Sequence, residues 1–126
     1  MKTVELHKAF CSLLEEGVIN VRYKDDVEIE IEDVVELRKV TEEMTGGKCY
    51  VSVYEAGNHT IITKEAREIS SNDEHIKNRK ALAIVVQSLA QRIISNFFMK
   101  SNKDIHPIKV FSSKTKALIW AKSHLN

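Results

Sequence analysis

The sequence predicts an α/β (α+β) fold with a mixed β-sheet, in which an N-terminal antiparallel hairpin or meander is followed by βαβα units. Three observations predict it. Apolar and polar residues alternate through Val18–Ile31, which is typical of strands with one buried face. After this segment, the spacing between apolar residues lengthens to that of a helix. Later, the unbroken aliphatic segment Ala81–Val86 stands between two helix-like segments, so we expect a sheet with helices packed on it.

The first strands are predicted from alternation and turn residues. His7–Leu14 is β-prone, Glu15–Gly17 interrupts it, and Val18–Tyr23 alternates, which together indicate a hairpin. Lys24–Asp26 then forms a second turn, and Val27–Ile31 alternates again. We therefore expect an antiparallel start to the sheet.

The first helix is predicted within residues 32–47. Asp33 followed by Glu36 resembles a capping box, and Gly46 with Gly47 supplies a left-handed stop. The residues expected to face inward, at helical spacing, are Val34, Leu37, Val40 and Met44.

A strand and a second helix come next. Cys49–Ala56 alternates, and a helix is expected to begin near Thr63 with Ala66 and Ile69 facing inward. Ser70–Asp73 interrupts this helix, and a short helical turn is predicted at Glu74–Lys77.

The last third is predicted with the strongest patterns. Ala81–Val86 is expected to be a central strand covered on both faces, and Ser88–Gln91 a capping box that opens a helix. Ile108–Phe111 reads as a final strand, and Ser112 or Ser113 caps a last helix. Without linkers or repeats, we expect one domain over residues 1–126. The inward residues of the two helices are expected to be Ala90, Ile93, Ile94, Phe97, Phe98, then Ala117, Leu118, Ala121 and Leu125.

Composition argues against several classes of function. The 126 residues are 43% hydrophobic and 29% charged, with a formal net charge of +1 and no basic block, so nucleic-acid binding is not expected. The N-terminus lacks an apolar signal segment, and the longest aliphatic run is too short to span a bilayer. We expect a cytoplasmic protein without membrane insertion, in which Cys11 and Cys49 are buried, reduced thiols.

The C-terminal third resembles small bacterial proteins of the STAS-like family. These are similar to the sporulation anti-sigma-factor antagonist and are sometimes grouped with lipid carriers of the CRAL-TRIO type. The resemblance is carried by a buried strand, a helix, a short strand ending in Phe-Ser-Ser, and a helix with Ala-Leu-x-Trp. The matching residues here are Phe111, Ser112, Ser113, Ala117, Leu118 and Trp120.

The resemblance implies a regulatory or protein-interaction domain. In antagonists of that family, the loop after the third main strand carries Asp-Ser-[Ser/Thr]-Gly, whose serine is phosphorylated by a partner kinase. The equivalent segment here is Glu55–Thr63, which has no such motif, although Glu55 stands where the aspartate would and Thr60 or Thr63 offers a hydroxyl. The residues predicted to bind a partner or to be regulated are Glu55, Asn58, His59, Thr60, Thr63 and Arg67.

Two of these residues also have simpler interpretations. Thr63 precedes a helix and is typical of an N-cap, although a phosphate there would meet free N–H groups and the positive end of the helix dipole. Glu55 and His59 are near enough in sequence to form a base–orienter pair, but no nucleophile lies beside them, so a polar loop histidine is favoured.

No enzyme signature is present. The sequence has no GxGxxG, Walker or GxSxG motif and no metal-binding histidine spacing, so we predict no catalytic residue, no metal and no cofactor. Ser88 follows the central strand, but its neighbours are too bulky for a nucleophile elbow and capping explains it.

The helix after the central strand has too many apolar residues for one buried face. We expect Phe98 or Met99 to reach the surface, with a homodimer contact as the simplest consequence. The alternative is a pocket for an apolar ligand, formed by Ile94, Phe97, Phe98 and Met99. The leading prediction is therefore a non-enzymatic domain that binds an unknown protein partner, and the alternative is a carrier of a small apolar ligand or lipid.

Overall fold

The computed structural model describes residues 1–71, 77–102 and 106–125, with the backbone alone at Ser71 and at residues 97–102. The predicted turn at Glu74–Lys77 falls almost wholly outside these residues. In chain order the elements are β1 (Lys2–Glu5), β2 (Ala9–Glu15), β3 (Val18–Tyr23), β4 (Glu28–Ile29), α1 (Ile31–Thr45), β5 (Tyr50–Glu55), β6 (Ile61–Ile62), α2 (Lys64–Ser71), β7 (Arg79–Val85), α3 (Leu89–Asn102), β8 (Ile108–Phe111) and α4 (Lys114–Lys122).

The main sheet is mixed, as predicted. Its strand order is β1-β2-β3-β5-β7-β8, with antiparallel pairs up to β3 and parallel pairs from there to β8. The aliphatic segment lies in β7, hydrogen-bonded on both sides to β5 and β8. It is therefore an internal strand, which confirms the assignment made from its uniform hydrophobicity.

Two parts of the predicted strand pattern were wrong. The third antiparallel strand is β1, at the sheet edge, and not the segment Val27–Ile31. From that segment only β4 is a strand, and it pairs in parallel with β6 in a separate two-stranded ribbon. Ile29 is buried against Ala66 of α2 rather than on the main sheet, so alternation correctly indicated a buried face but not the element that covers it.

The helices cover both faces of the sheet. On one face α4 packs through Ala117 and Ala121, whose small side chains let the helix approach the valines of β5 closely. The other face carries α1, α2 and α3. Leu37 of α1 packs there against the buried residues Cys11 and Ile19. The cysteine prediction was half wrong, since Cys49 is exposed.

Most helix ends follow their capping residues. Gly46 adopts φ 62° after α1, Thr63 Oγ1 accepts a bond from Ala66 N, and Ser113 Oγ accepts one from Lys116 N. The capping box of α1 was predicted three residues too late, because Glu30 is the N-cap and Asp33 is its reciprocal partner.

The helix α3 differs from the prediction. Gln91 N donates to Ser88 Oγ, so the predicted cap is present. The stripe expected to be core is exposed, however, with 60% of Ile93 and 43% of Ile94 accessible. The side chains of Phe97, Phe98 and Met99 lie outside the described residues. Among the helices that the structure describes, none is long and apolar enough to cross a membrane.

Candidate functional site

The segment Glu55–Thr63 is an ordered loop that packs against the turn after β3. Gly57 lies directly against the backbone of Tyr23 and Lys24, where there is no room for a side chain. Asn58 N donates to a carboxylate oxygen of Asp25 at 2.8 Å. Thr60 Oγ1 donates to the carbonyl of Lys24 at 2.9 Å. Backbone and side-chain bonds therefore hold this loop to the sheet.

His59 and Glu55 do not form a catalytic pair. His59 has a positive φ of 59° and its Nδ1 lies 3.1 Å from Asp26 Oδ1, at the exposed tip of the loop. Glu55 is at the end of β5 and accepts a bond from Asn20 Nδ2 at 3.0 Å, with Lys114 Nζ at 3.3 Å. The carboxylate of Glu55 thus bonds to β3 and α4, whereas the partner of His59 is in the β3–β4 turn.

The predicted residues divide into three locations. Asn58 and His59 are at the solvent-exposed tip, and Glu55 bonds toward the α4 side of the sheet. Thr63 caps α2, while Thr60 and Arg67 line a cavity between the sheet and α3. This cavity, rather than the loop tip, is where polar and apolar groups of several elements converge.

The cavity has a volume of about 150 Å³. The sheet supplies its floor through Leu82 and Ile84 of β7, and α3 covers it with Ile94 and Ser95. Ile61 of β6 lies at its edge. Since Ile61 and Ile94 are exposed and both line the cavity, it reaches the surface between β6 and α3.

One end of the cavity is formed by a buried arginine. Arg79 begins β7 and is only 3% exposed. Its Nε donates to His106 Nε2 at 2.9 Å, its Nη1 to Tyr54 Oη at 3.3 Å, and its Nη2 to the carbonyl of Ser70 at 3.3 Å. These partners come from β5, α2 and the segment before β8, so the guanidinium connects three parts of the fold.

His106 is neutral in this arrangement. Burial, and then the adjacent charge of Arg79, lowers its pKa from 6.5 to about 4. Since Arg79 Nε can only donate, His106 Nε2 must accept, and the ring proton belongs on Nδ1, which is 3.2 Å from the carbonyl of Pro107.

Tyr23 and Tyr50, which lie near Arg79, are neutral at ordinary pH as well. Burial, and then the neighbouring Tyr54, raises the pKa of Tyr23 well above its usual range and that of Tyr50 to about 12. The rings of Tyr23 and Tyr54 meet edge to face, with centroids 6.0 Å apart. Among the described residues, the hydrogen-bond partners of the Arg79 guanidinium therefore carry no charge.

Sequence reasoning missed Arg79 and grouped His106 with the scattered histidines. Arg79 stands at the start of a strand, where a charged residue ordinarily marks a boundary at the surface. His106 follows it by 27 residues in the chain, and no local pattern connects the two. Among the described residues, no group of histidine, cysteine, aspartate or glutamate could hold a metal ion.

The comparisons with known proteins agree with this fold. The sequence profile of DUF7793, a domain of unknown function, matches residues 12–125. The chain belongs to this family. No curated protein matches the sequence.

A solved structure resembles this DUF7793 domain over almost its full length. It is the crystal structure of an uncharacterized protein of the DUF3478 family from Shewanella loihica PV-4, described as having a SpoIIAA-like fold. The two share 16% sequence identity with a TM-score of 0.67, covering 96% of this chain and 99% of that one. At this identity the likeness establishes the STAS-like fold and nothing about activity.

Proposed function

We propose that this protein is a non-enzymatic binding domain of SpoIIAA-like fold whose cavity beneath α3 takes a small ligand with an apolar body. The single observation behind this proposal is the cavity itself. It combines an aliphatic floor with an exposed apolar edge at Ile61 and Ile94, which cost free energy in water unless something covers them.

The volume limits the size of the ligand. A buried apolar cavity of about 150 Å³ is known to accept benzene. The present cavity has about the same volume and opens to solvent, so a body of roughly six carbons fits, with a longer tail reaching the surface. The alternative predicted from the apolar stripe of α3, a carrier of a small apolar ligand, is thus the function that the geometry favours.

The lining supports binding rather than catalysis. The cavity-lining side chains that the structure describes include hydroxyl, amide and guanidinium groups but no carboxylate, imidazole or thiol. The described lining therefore offers hydroxyl groups, but no neighbouring carboxylate or imidazole of the same lining to activate them.

Blocking the cavity tests this proposal. Ile84→Phe places a ring in the cavity from the rigid sheet, and we expect it to weaken binding of benzyl alcohol at least roughly tenfold, because the ring occupies the ligand volume. Binding is measured by chemical-shift titration of backbone amides in heteronuclear NMR spectra. The matched control is Ile119→Phe on exposed α4, which should bind benzyl alcohol like the unmodified protein.

The outcome that contradicts the proposal is equally specific. If benzyl alcohol shifts no amides of β6, β7 or α3, or if Ile84→Phe and the unmodified protein bind it equally, the cavity is not a ligand site. Native mass spectrometry of freshly purified protein adds a second observation, because a bound apolar molecule would appear as a mass increment that Ile84→Phe removes.

A second candidate is protein interaction, including self-association, through the first turns of α3. Leu89 and Ile93 are one helical turn apart, and 73% and 60% of their areas are accessible. We expect Ile93→Lys to abolish a homodimer in sedimentation velocity, whereas Ile119→Lys, an exposed isoleucine on α4, should leave it unchanged. A monomer at all concentrations would refute self-association by this face.

The predicted phosphorylation of the Glu55–Thr63 loop has less support in the geometry. The hydroxyl of Thr60 donates to the carbonyl of Lys24, and that of Thr63 accepts the capping bond of α2. A phosphate on Thr60 would remove the proton donated to Lys24, whereas a phosphate on Thr63 would still offer acceptor oxygens to the first turn of α2. Phosphosite mapping by mass spectrometry tests whether these hydroxyls are modified.

A further inference from the structure

The chemistry around Arg79, which lines the cavity, indicates a class of ligand. Arg79 is almost completely buried, and the partners that the structure gives it are an imidazole, a phenol and a backbone carbonyl, all of them neutral. Within residues 1–71, 77–102 and 106–125, no carboxylate is paired with this guanidinium. A buried charge without an opposite charge carries a large desolvation cost, which a bound anion would offset.

The guanidinium also has donors that make no hydrogen bond to any residue that the structure describes. Nε, Nη1 and Nη2 each make one hydrogen bond. The second hydrogens on Nη1 and Nη2 have no acceptor among the described residues. One N–H on each of two nitrogens can meet the two oxygens of a carboxylate, and the bonds to His106, Tyr54 and Ser70 fix the plane of the guanidinium.

Because His106 is neutral, it does not compensate the positive charge of Arg79. A carboxylate in the place of His106 would cancel the charge of Arg79, and a protonated imidazole would repel it. The imidazole that is present does neither, since its Nε2 only accepts a hydrogen bond. The site therefore holds an arginine rigidly while leaving its charge available.

We propose that the cavity binds a small organic monocarboxylate, with the carboxylate on Arg79 and the apolar body between Leu82, Ile84 and Ile94. This inference rests on the proposed function, since it assigns a ligand class to the same cavity. Arg67 also lines the cavity, but it is only half-buried on α2, so solvent screens its charge more than that of Arg79.

The test compares two probes of nearly equal shape. Benzoate and benzyl alcohol differ chiefly in charge, and we expect benzoate to bind at least about tenfold more tightly at pH 7. Arg79→Met should reduce benzoate to the affinity of benzyl alcohol without weakening benzyl alcohol itself. Arg92→Met, which removes the same charge from α3 at a residue outside the cavity lining, should keep the preference for benzoate.

Each outcome separates this inference from the proposed function. Equal affinity for the two probes, or a preference that survives Arg79→Met or is lost only in Arg67→Met, overturns the assignment and leaves the binding domain standing. Failure of both probes to bind overturns both. If Arg79→Met does not fold, the preference of the unmodified protein for benzoate still decides whether the site selects anions. Arg79→Lys then tests the guanidinium donors, because it keeps the charge and should weaken the binding of benzoate.

Discussion

Replacement of Gly57 by alanine is expected to destabilise the protein by about 3 kcal/mol, near the upper end of the usual cost of overpacking. A Cβ at this position would lie 2.7 Å from the carbonyl oxygens of both Tyr23 and Lys24 and 2.8 Å from Lys24 C. All three are backbone atoms at the end of β3, so a rotamer change cannot relieve the clash. The measurement is the free energy of unfolding from urea denaturation, followed by circular dichroism.

The matched control is Gly47→Ala. Gly47 has a positive φ of 77°, and a Cβ there would meet nothing within 4 Å, so alanine costs only the backbone strain of a left-handed residue, about 1 kcal/mol. Gly57→Ala should therefore exceed Gly47→Ala by about 2 kcal/mol. Equal losses in the two variants would show that the loop moves freely away from β3.

This contrast bears on what the strand-to-helix connection does. Gly57 permits close backbone approach, and its carbonyl accepts a bond from Gln91 Nε2 at 2.9 Å. Gln91 lines the cavity, and so does Thr60 of the same loop. The connection thus ties the loop to β3 and α3 and forms one wall of the cavity. Close backbone packing therefore explains the glycine at this position.

Much of the fold could be predicted because its signals are local. The aliphatic run of β7 requires cover on both faces, and Gly46 supplies the left-handed stop of α1. The strand β1 gives no such signal, since Lys2–Glu5 contains a single apolar residue and depends on its antiparallel pairing with β2. Short ribbons such as β4–β6 likewise depend on tertiary contacts.

The cavity could not be predicted because it arises between elements. The apolar residues of α3 satisfy the pattern of a buried helix, yet Ile93 and Ile94 remain exposed. Periodicity identifies which residues share a face but not whether another element fills the space beneath it. Burial of Arg79 likewise depends on groups brought by α2 and the segment before β8, so only the assembled structure shows it.

The second large effect is expected from pH. We expect the free energy of unfolding to fall by about 2 kcal/mol between pH 7 and pH 4.5 through His106 alone. Its pKa is about 4 in the folded protein against 6.5 for an unperturbed histidine. Between these values the unfolded chain binds a proton that the folded chain does not, so acid favours unfolding. Above pH 6.5 the imidazole is neutral in both states and this dependence disappears.

The variant His106→Gln isolates the contribution. Its amide oxygen can still accept the bond from Arg79 Nε, but it does not titrate. Urea denaturation at a series of pH values should give the variant a shallower loss of stability toward acid than the unmodified protein, with the difference confined to pH 4–6.5. Circular dichroism is the suitable probe, because it follows the secondary structure of the whole chain rather than one side chain.

The matched control replaces an exposed histidine in the same way. His7→Gln removes one imidazole from the surface of the loop before β2, and we expect it to keep the pH dependence of the unmodified protein. If His106→Gln and His7→Gln follow the same curve, the imidazole beside Arg79 is open to solvent and protonates without cost. In that case Arg79 would also be hydrated, and its charge would no longer need an anion in the cavity.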